Sequence, residues 1–259
     1  MFVNIEIFSY FSCAIAFSIL SALIFLGKKG EKHRKTLLIA TVGSAIWSSS
    51  AALAPWTGAS GAVFSLLELF RTLCWVFVAY SLIEARLDSD ASKYYKYILM
   101  GLSGLCVAIT CIGVLFAYVP VPQYLVSVSQ TALGGTRVIL AVIGLMLVEN
   151  IFRNAGPEKR WALKYICFGM ATIFGYDFLL HADSVLFLRL DPALFGARGF
   201  INALAAPLIA VSVSRYATWD MDIHVSRRIV FHSATLLASG LYLLGIAGAG
   251  LYLKQFGGN

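Results

Sequence analysis

Charge is scarce in this sequence. Asp, Glu, Lys and Arg together make up 13% of the 259 residues, whereas 59% are apolar. A water-soluble domain averages about 25% charged residues; this chain has too few to coat a surface facing water, and its mean hydropathy is +0.81. The cysteines Cys13, Cys74, Cys106, Cys111 and Cys167 are odd in number, none forms a C-x-x-C, and all fall inside apolar runs. They read as small packing residues rather than as disulfides or a metal site. No H-E-x-x-H, G-x-S-x-G, Walker A sequence or Gly-rich nucleotide loop occurs, so the commonest sequence signs of hydrolase, metalloprotease and nucleotide chemistry are missing.

What is present is a series of apolar runs of membrane length. A hydrocarbon core of about 30 Å needs roughly 20 apolar residues in a helix. The pattern predicts an all-α, polytopic transmembrane bundle of eight helices, near 5–26, 36–54, 62–84, 96–117, 123–149, 162–184, 194–214 and 229–253. Pro55-Trp56-Thr57-Gly58 is expected to end the second, Pro120-Val121-Pro122 to separate the fourth from the fifth, and Asn154-Ala155-Gly156-Pro157 to follow the fifth. The first run lacks the preceding basic residues of a cleaved signal peptide and is followed by a basic loop, so it reads as a retained helix.

The net charge of +7 raises nucleic acid as a partner, but the placement of the basic residues argues against it. Lys28, Lys29, Lys32, Arg34, Lys35, Arg86, Lys93, Lys96, Arg153, Lys159, Arg160, Lys164, Arg215, Arg227 and Arg228 all fall at alternate connections on one side. The other side holds Arg189 and Lys254. By the positive-inside rule the basic side is cytoplasmic and the N-terminus lies outside. Eight helices then return Asn259 to the outside, and a cytoplasmic output domain would require a ninth helix; the expected organisation is a truncated piece of a longer protein. Its parts are a seven-helix bundle over 1–215, a cytoplasmic connector over 216–228, and an eighth helix with its outer end over 229–259.

Small residues predict close helix approach. Ala40, Ser44, Ser48 and Ala52 recur every four residues on the second helix; Gly101, Gly104 and Ala108 are expected to act alike on the fourth, and Gly240, Gly245, Gly248 and Gly250 on the eighth. Pro207, inside the seventh, frees the carbonyl of Ala203 and marks a kink or hinge.

Ionisable groups in hydrocarbon cost about 2.5–3.5 kcal/mol each on insertion scales, so they need partners. Glu68 and Arg71 share a face of the third helix, Asp177 and His181 of the sixth, and Arg198 and Asn202 of the seventh, while Arg137 stands alone on the fifth. Apart from Arg137, near mid-helix, all are expected in the outer half. Two roles fit: ion pairs that fix helix register, or a polar cluster that binds a ligand or senses an envelope property. His33 and His224 fall in loops, and His181 and His232 near opposite ends of the bundle, so no two histidines share the depth a haem requires. The seventh helix has no lysine for a retinal Schiff base. Trp219, Arg227 and Arg228 mark the connector either as an interfacial segment or as a coupling element.

The run from Arg198 through Asn202 and Pro207 to Arg215 is followed by Trp219, Val225-Ser226-Arg227-Arg228 and Phe231-His232, then by Gly240, Tyr242, Gly250, Tyr252 and Phe256-Gly257-Gly258. This stretch, roughly the last 60 residues, resembles the membrane region of the PrsK-type sensor histidine kinases of the PEP-CTERM/exosortase A system. The resemblance implies a signal-input module in a bacterial inner membrane, a homodimer, and a response regulator as partner. It also implies a GAF domain and a kinase core, with ATP and Mg bound there and not in this chain. No D-x-G-x-G box or phosphoacceptor histidine followed by an acidic residue is present, since His232 precedes Ser233. A transporter or channel, a membrane anchor or scaffold, and an intramembrane enzyme are the alternatives.

Overall fold

Runs of 20 or more apolar residues have one stable form in lipid, the helix, which satisfies every backbone donor and acceptor internally. The computed structural model describes residues 2–26, 33–58, 61–84, 89–116, 118–155 and 157–215. Among them are seven α-helices: α1 (Phe2–Leu26), α2 (Arg34–Thr57), α3 (Gly61–Glu84), α4 (Ser89–Leu115), α5 (Gln123–Arg153), α6 (Pro157–Phe187) and α7 (Pro192–Arg215). Each is long and apolar enough to cross a membrane. The described residues are thus all-α and make a multi-pass membrane bundle, with seven spans where hydropathy puts them. The eighth span, its glycines and the connector with Trp219, Arg227 and Arg228 lie outside the described residues.

Helix ends follow local chemistry. Pro55 does not stop α2 but sits in its last turn; the helix ends at Gly58, whose φ of 60° is left-handed and whose N–H donates to the Ala54 carbonyl. The opening of α7 combines two start signals. Pro192 occupies its first position, and Asp191 Oδ1 accepts from the N–H groups of Ala193 and Leu194 at 2.8 and 3.2 Å. At the far end of α1, Arg34 Nε donates to the Ile24 carbonyl at 2.9 Å, and its Nη2 donates to the Phe25 carbonyl. A cation there also opposes the negative end of the helix dipole.

Six helices close into a ring in the order α1–α2–α3–α5–α6–α7 and back to α1, while α4 lies outside, against α5 and α3. Small residues let the ring close. The α2 face of Ala40, Ser44, Ser48 and Ala52 is buried as expected, and Trp75 of α3 donates to Ser44 Oγ at 2.9 Å. A Cβ added at Gly199 of α7 would sit 2.5 Å from the backbone carbon of Ser9 on α1, and one at Gly144 of α5 only 2.5 Å from the Phe174 ring on α6. The α4 expectation fails: a Cβ on Gly101 or Gly104 would meet nothing within 4 Å. Because α4 touches the ring along one narrow seam, those glycines fall away from it.

Tyr10, Phe17, Trp47, Trp75 and Phe174 fill the ring interior, while large apolar side chains such as Phe8, Phe11, Ile15, Ile19 and Leu23 face outward. Hydroxyls on the helices bond back to carbonyls one turn earlier, as Ser44 does to Ala40 at 2.8 Å and Thr172 to Phe168 at 2.8 Å. Cys13, Cys106 and Cys167 are buried packing residues, but Cys111 is exposed on α4. His33, expected in an open loop, is instead buried, with Nδ1 3.3 Å from Ser81 Oγ of α3.

Candidate functional site: an ion network inside the ring

Among the described residues, every buried charge in the middle of this bundle joins one network. Glu68 of α3 is its first hub. Its Oε1 accepts from Arg198 Nη1 of α7 and lies 3.1 Å from His181 Nε2 of α6. Its Oε2 is 2.7 Å from Arg137 Nε of α5. Asp177 of α6 is the second hub: Oδ1 lies 2.9 Å from Arg198 Nε and 2.8 Å from Nη2, and Oδ2 accepts from Arg71 Nη2 of α3. Arg71 Nη1 donates to Asn202 Oδ1 at 2.8 Å, and Asn202 Nδ2 donates to the Arg198 carbonyl at 2.9 Å. An ionised Glu68 can only accept, which puts the His181 proton on Nε2.

All seven residues singled out by sequence are therefore brought together, but only Arg198 and Asn202 of α7 bond as a local pair. Glu68 and Arg71 each find partners on other helices, as do Asp177 and His181. Arg137, read as solitary, is a direct partner of Glu68, and its Nη2 donates to Ser65 Oγ at 3.0 Å. The reason is geometric. In a closed ring, side chains of α3 reach across the interior to α6 and α7 more directly than along their own helix. Each guanidinium–carboxylate contact is a charge-assisted bond, and together they offset the cost of placing ions in hydrocarbon.

Sequence reasoning missed three members. Trp47 of α2 lies beneath two cations, with the Arg71 guanidinium 4.1 Å and that of Arg198 4.8 Å from its ring centroid; such desolvated stacking adds about 2 kcal/mol. Tyr10 of α1 packs edge-on against Trp47 at 5.3 Å, and its hydroxyl donates to the Phe195 carbonyl of α7 at 3.2 Å. Ser65 completes the surroundings of Arg137. The available signal for Trp47 was its place on the small face of α2, one turn from Ser44 and beside Ser48. Thus α1 and α2 bear on the network through aromatic rings, and α3, α5, α6 and α7 through charge.

Depth is set by helix register. Glu68 and Arg71 lie 7 and 10 residues into α3, about 10 and 15 Å at 1.5 Å per residue. Asp177 and His181 are 10 and 6 residues from the end of α6, and Arg198 and Asn202 are 6 and 10 into α7. The network therefore sits towards the end of the bundle that carries the α2–α3, α4–α5 and α6–α7 connections, opposite the basic loops. Pro207 lies inside α7 one turn beyond Asn202, away from the network.

Chemically, the arrangement pairs opposite charges across four helices. Guanidinium groups contact both carboxylates, and no three His, Cys, Asp or Glu residues gather as a metal site among the described residues. Compared with protein-family models, with curated proteins and with solved structures, the chain matches none. The site is read from its own geometry.

Proposed function

We propose that this chain is the transmembrane signal-input module of a bacterial two-component sensor histidine kinase, of the kind that controls exopolysaccharide and PEP-CTERM protein genes. In this reading it is an eight-helix, N-terminus-outside protein of the inner membrane. Kinase catalysis, with its ATP and Mg, belongs to domains outside this sequence, and homodimers pass phosphate to a response regulator. The resemblance of the last 60 residues supports the family, and the bias of Lys and Arg supports the orientation. The observation that carries a sensing role is the cross-ring network: seven polar residues on four helices, gathered in one half, where a change in any one contact bears on all four helices. Signalling would follow if an outer-side event favoured one packing of the ring over another.

The test replaces Asp177 and Arg198 together, Asp177→Asn with Arg198→Gln, in the full reading frame of the native host. This keeps the network charge unchanged while cutting its α6–α7 tie. A transcriptional reporter of the regulated genes should lose or lock its response while the protein still accumulates in the membrane. A normal response from a normally inserted variant would sink the sensing role.

A further inference from the structure

The network does not balance. Arg71, Arg137 and Arg198 bring three guanidiniums, which stay charged at any physiological pH, against the two carboxylates of Glu68 and Asp177. One positive charge is left over. His181, hydrogen-bonded to Glu68, cannot remove it and would add to it if protonated. Three other carboxylates lie near this end, Glu6 on α1, Asp183 on α6 and the α7-capping Asp191, and none makes an ion pair with the network among the described residues. A fixed surplus charge in low dielectric is costly unless a counter-ion sits beside it.

The surplus has one outlet. The side chains of Arg71 and Arg198 are sealed, at 0% and 1% exposure, whereas that of Arg137 keeps 19%. Its Nε is used by Glu68 and its Nη2 by Ser65, while Nη1 has no protein partner among the described residues. Ser65 and Glu68 lie 4 and 7 residues into α3, about 6 and 10 Å from its start. A 24-residue helix is about 36 Å long against about 30 Å of hydrocarbon. Ser65 thus falls within about 3 Å of the hydrocarbon boundary, and its bond to Arg137 Nη2 draws that guanidinium from mid-helix towards the same level, as in snorkelling. The opening lies at the α3–α5 seam, flanked by α4, which packs Cys106 against Leu69 and Leu140.

We propose that Arg137 and Ser65 form a binding site for a monoanionic oxyanion, a phosphate group, which neutralises the buried network. Arg137 Nη1 donates to it as a charge-assisted bond, and the Ser65 hydroxyl, already accepting from Arg137, turns its own proton to the anion. The phosphate comes from an anionic phospholipid headgroup or from a free ion; the chemistry at the arginine is the same. The proposal shares Arg137 and its network with the sensing role, yet it is read on purified protein without any signalling output, so either can fail alone.

The full chain, purified in a maltoside detergent at fixed ionic strength set with chloride, is melted with added short-chain phosphatidylglycerol, with sodium phosphate, or with further maltoside. A ligand that binds only the folded bundle should raise its melting temperature by about 3 °C or more at saturation. A rise with phosphatidylglycerol alone assigns the site to lipid; a rise with phosphate as well shows that the free ion suffices. Arg137→Gln should abolish the rise, and Ser65→Ala, which keeps the Arg137–Glu68 pair, should at least halve it. No rise with either anion in the natural sequence overturns the proposal, as does a full rise retained in Ser65→Ala or in Arg137→Gln.

Discussion

At the scale of the residue, three arginines of the same type carry unequal weight. Arg198 touches both carboxylates, stacks over Trp47 and is fully buried, so removing it takes one partner from each of Glu68 and Asp177. Arg137 touches one carboxylate and is partly exposed, and its loss leaves two arginines for two carboxylates. Arg198→Gln is therefore expected to cost about 3–5 kcal/mol, as for a broken buried pair, and Arg137→Gln less than about 1 kcal/mol. Thermal unfolding of the purified variants, followed by reaction of the buried Cys13 and Cys167 with a thiol dye, checks the ranking. Equal losses would contradict the greater weight of Arg198. The composition of this site was legible in the sequence, because an ionisable residue inside an apolar run stands out. Its pairing was not: spacing reveals only neighbours on one helix, and the partners of Glu68 and Asp177 are set by which helices face each other across the ring.

At the scale of the element, hydropathy located the spans because lipid imposes length and apolarity on each helix separately. It could not rank the glycines. Gly199 and Gly104 look alike in sequence, yet a Cβ at Gly199 would run into the Ser9 backbone while one at Gly104 meets open space. Gly199→Ala should destabilise by about 1–3 kcal/mol through overpacking of α7 on α1. Gly104→Ala should be neutral or slightly stabilising, since alanine favours the helix by up to about 1 kcal/mol. The same dye-detected melts distinguish these outcomes, and a similar loss at both positions would contradict the placement of α4 outside the ring. Where α2 ends illustrates the opposite case: the stretch Pro55–Gly58 marks the end in the sequence, and within it the left-handed Gly58 terminates the helix, because proline within a membrane helix need not break it.

At the scale of the whole molecule, the ring order α1–α2–α3–α5–α6–α7 has no signature in any one segment. It emerges when four helices must satisfy each other's charges and when Ser9 and Gly199 let the first and seventh helices meet. One tie across the interior is between Arg71 of α3 and Asp177 of α6, helices that are not neighbours in the ring. A double-mutant cycle on Arg71→Gln and Asp177→Asn, measured by unfolding of the purified bundle, reads that tie directly. Each single change should cost about 3–5 kcal/mol and the double clearly less than their sum, with a coupling of about 1 kcal/mol or more. Strictly additive losses would contradict a bundle held together across its interior.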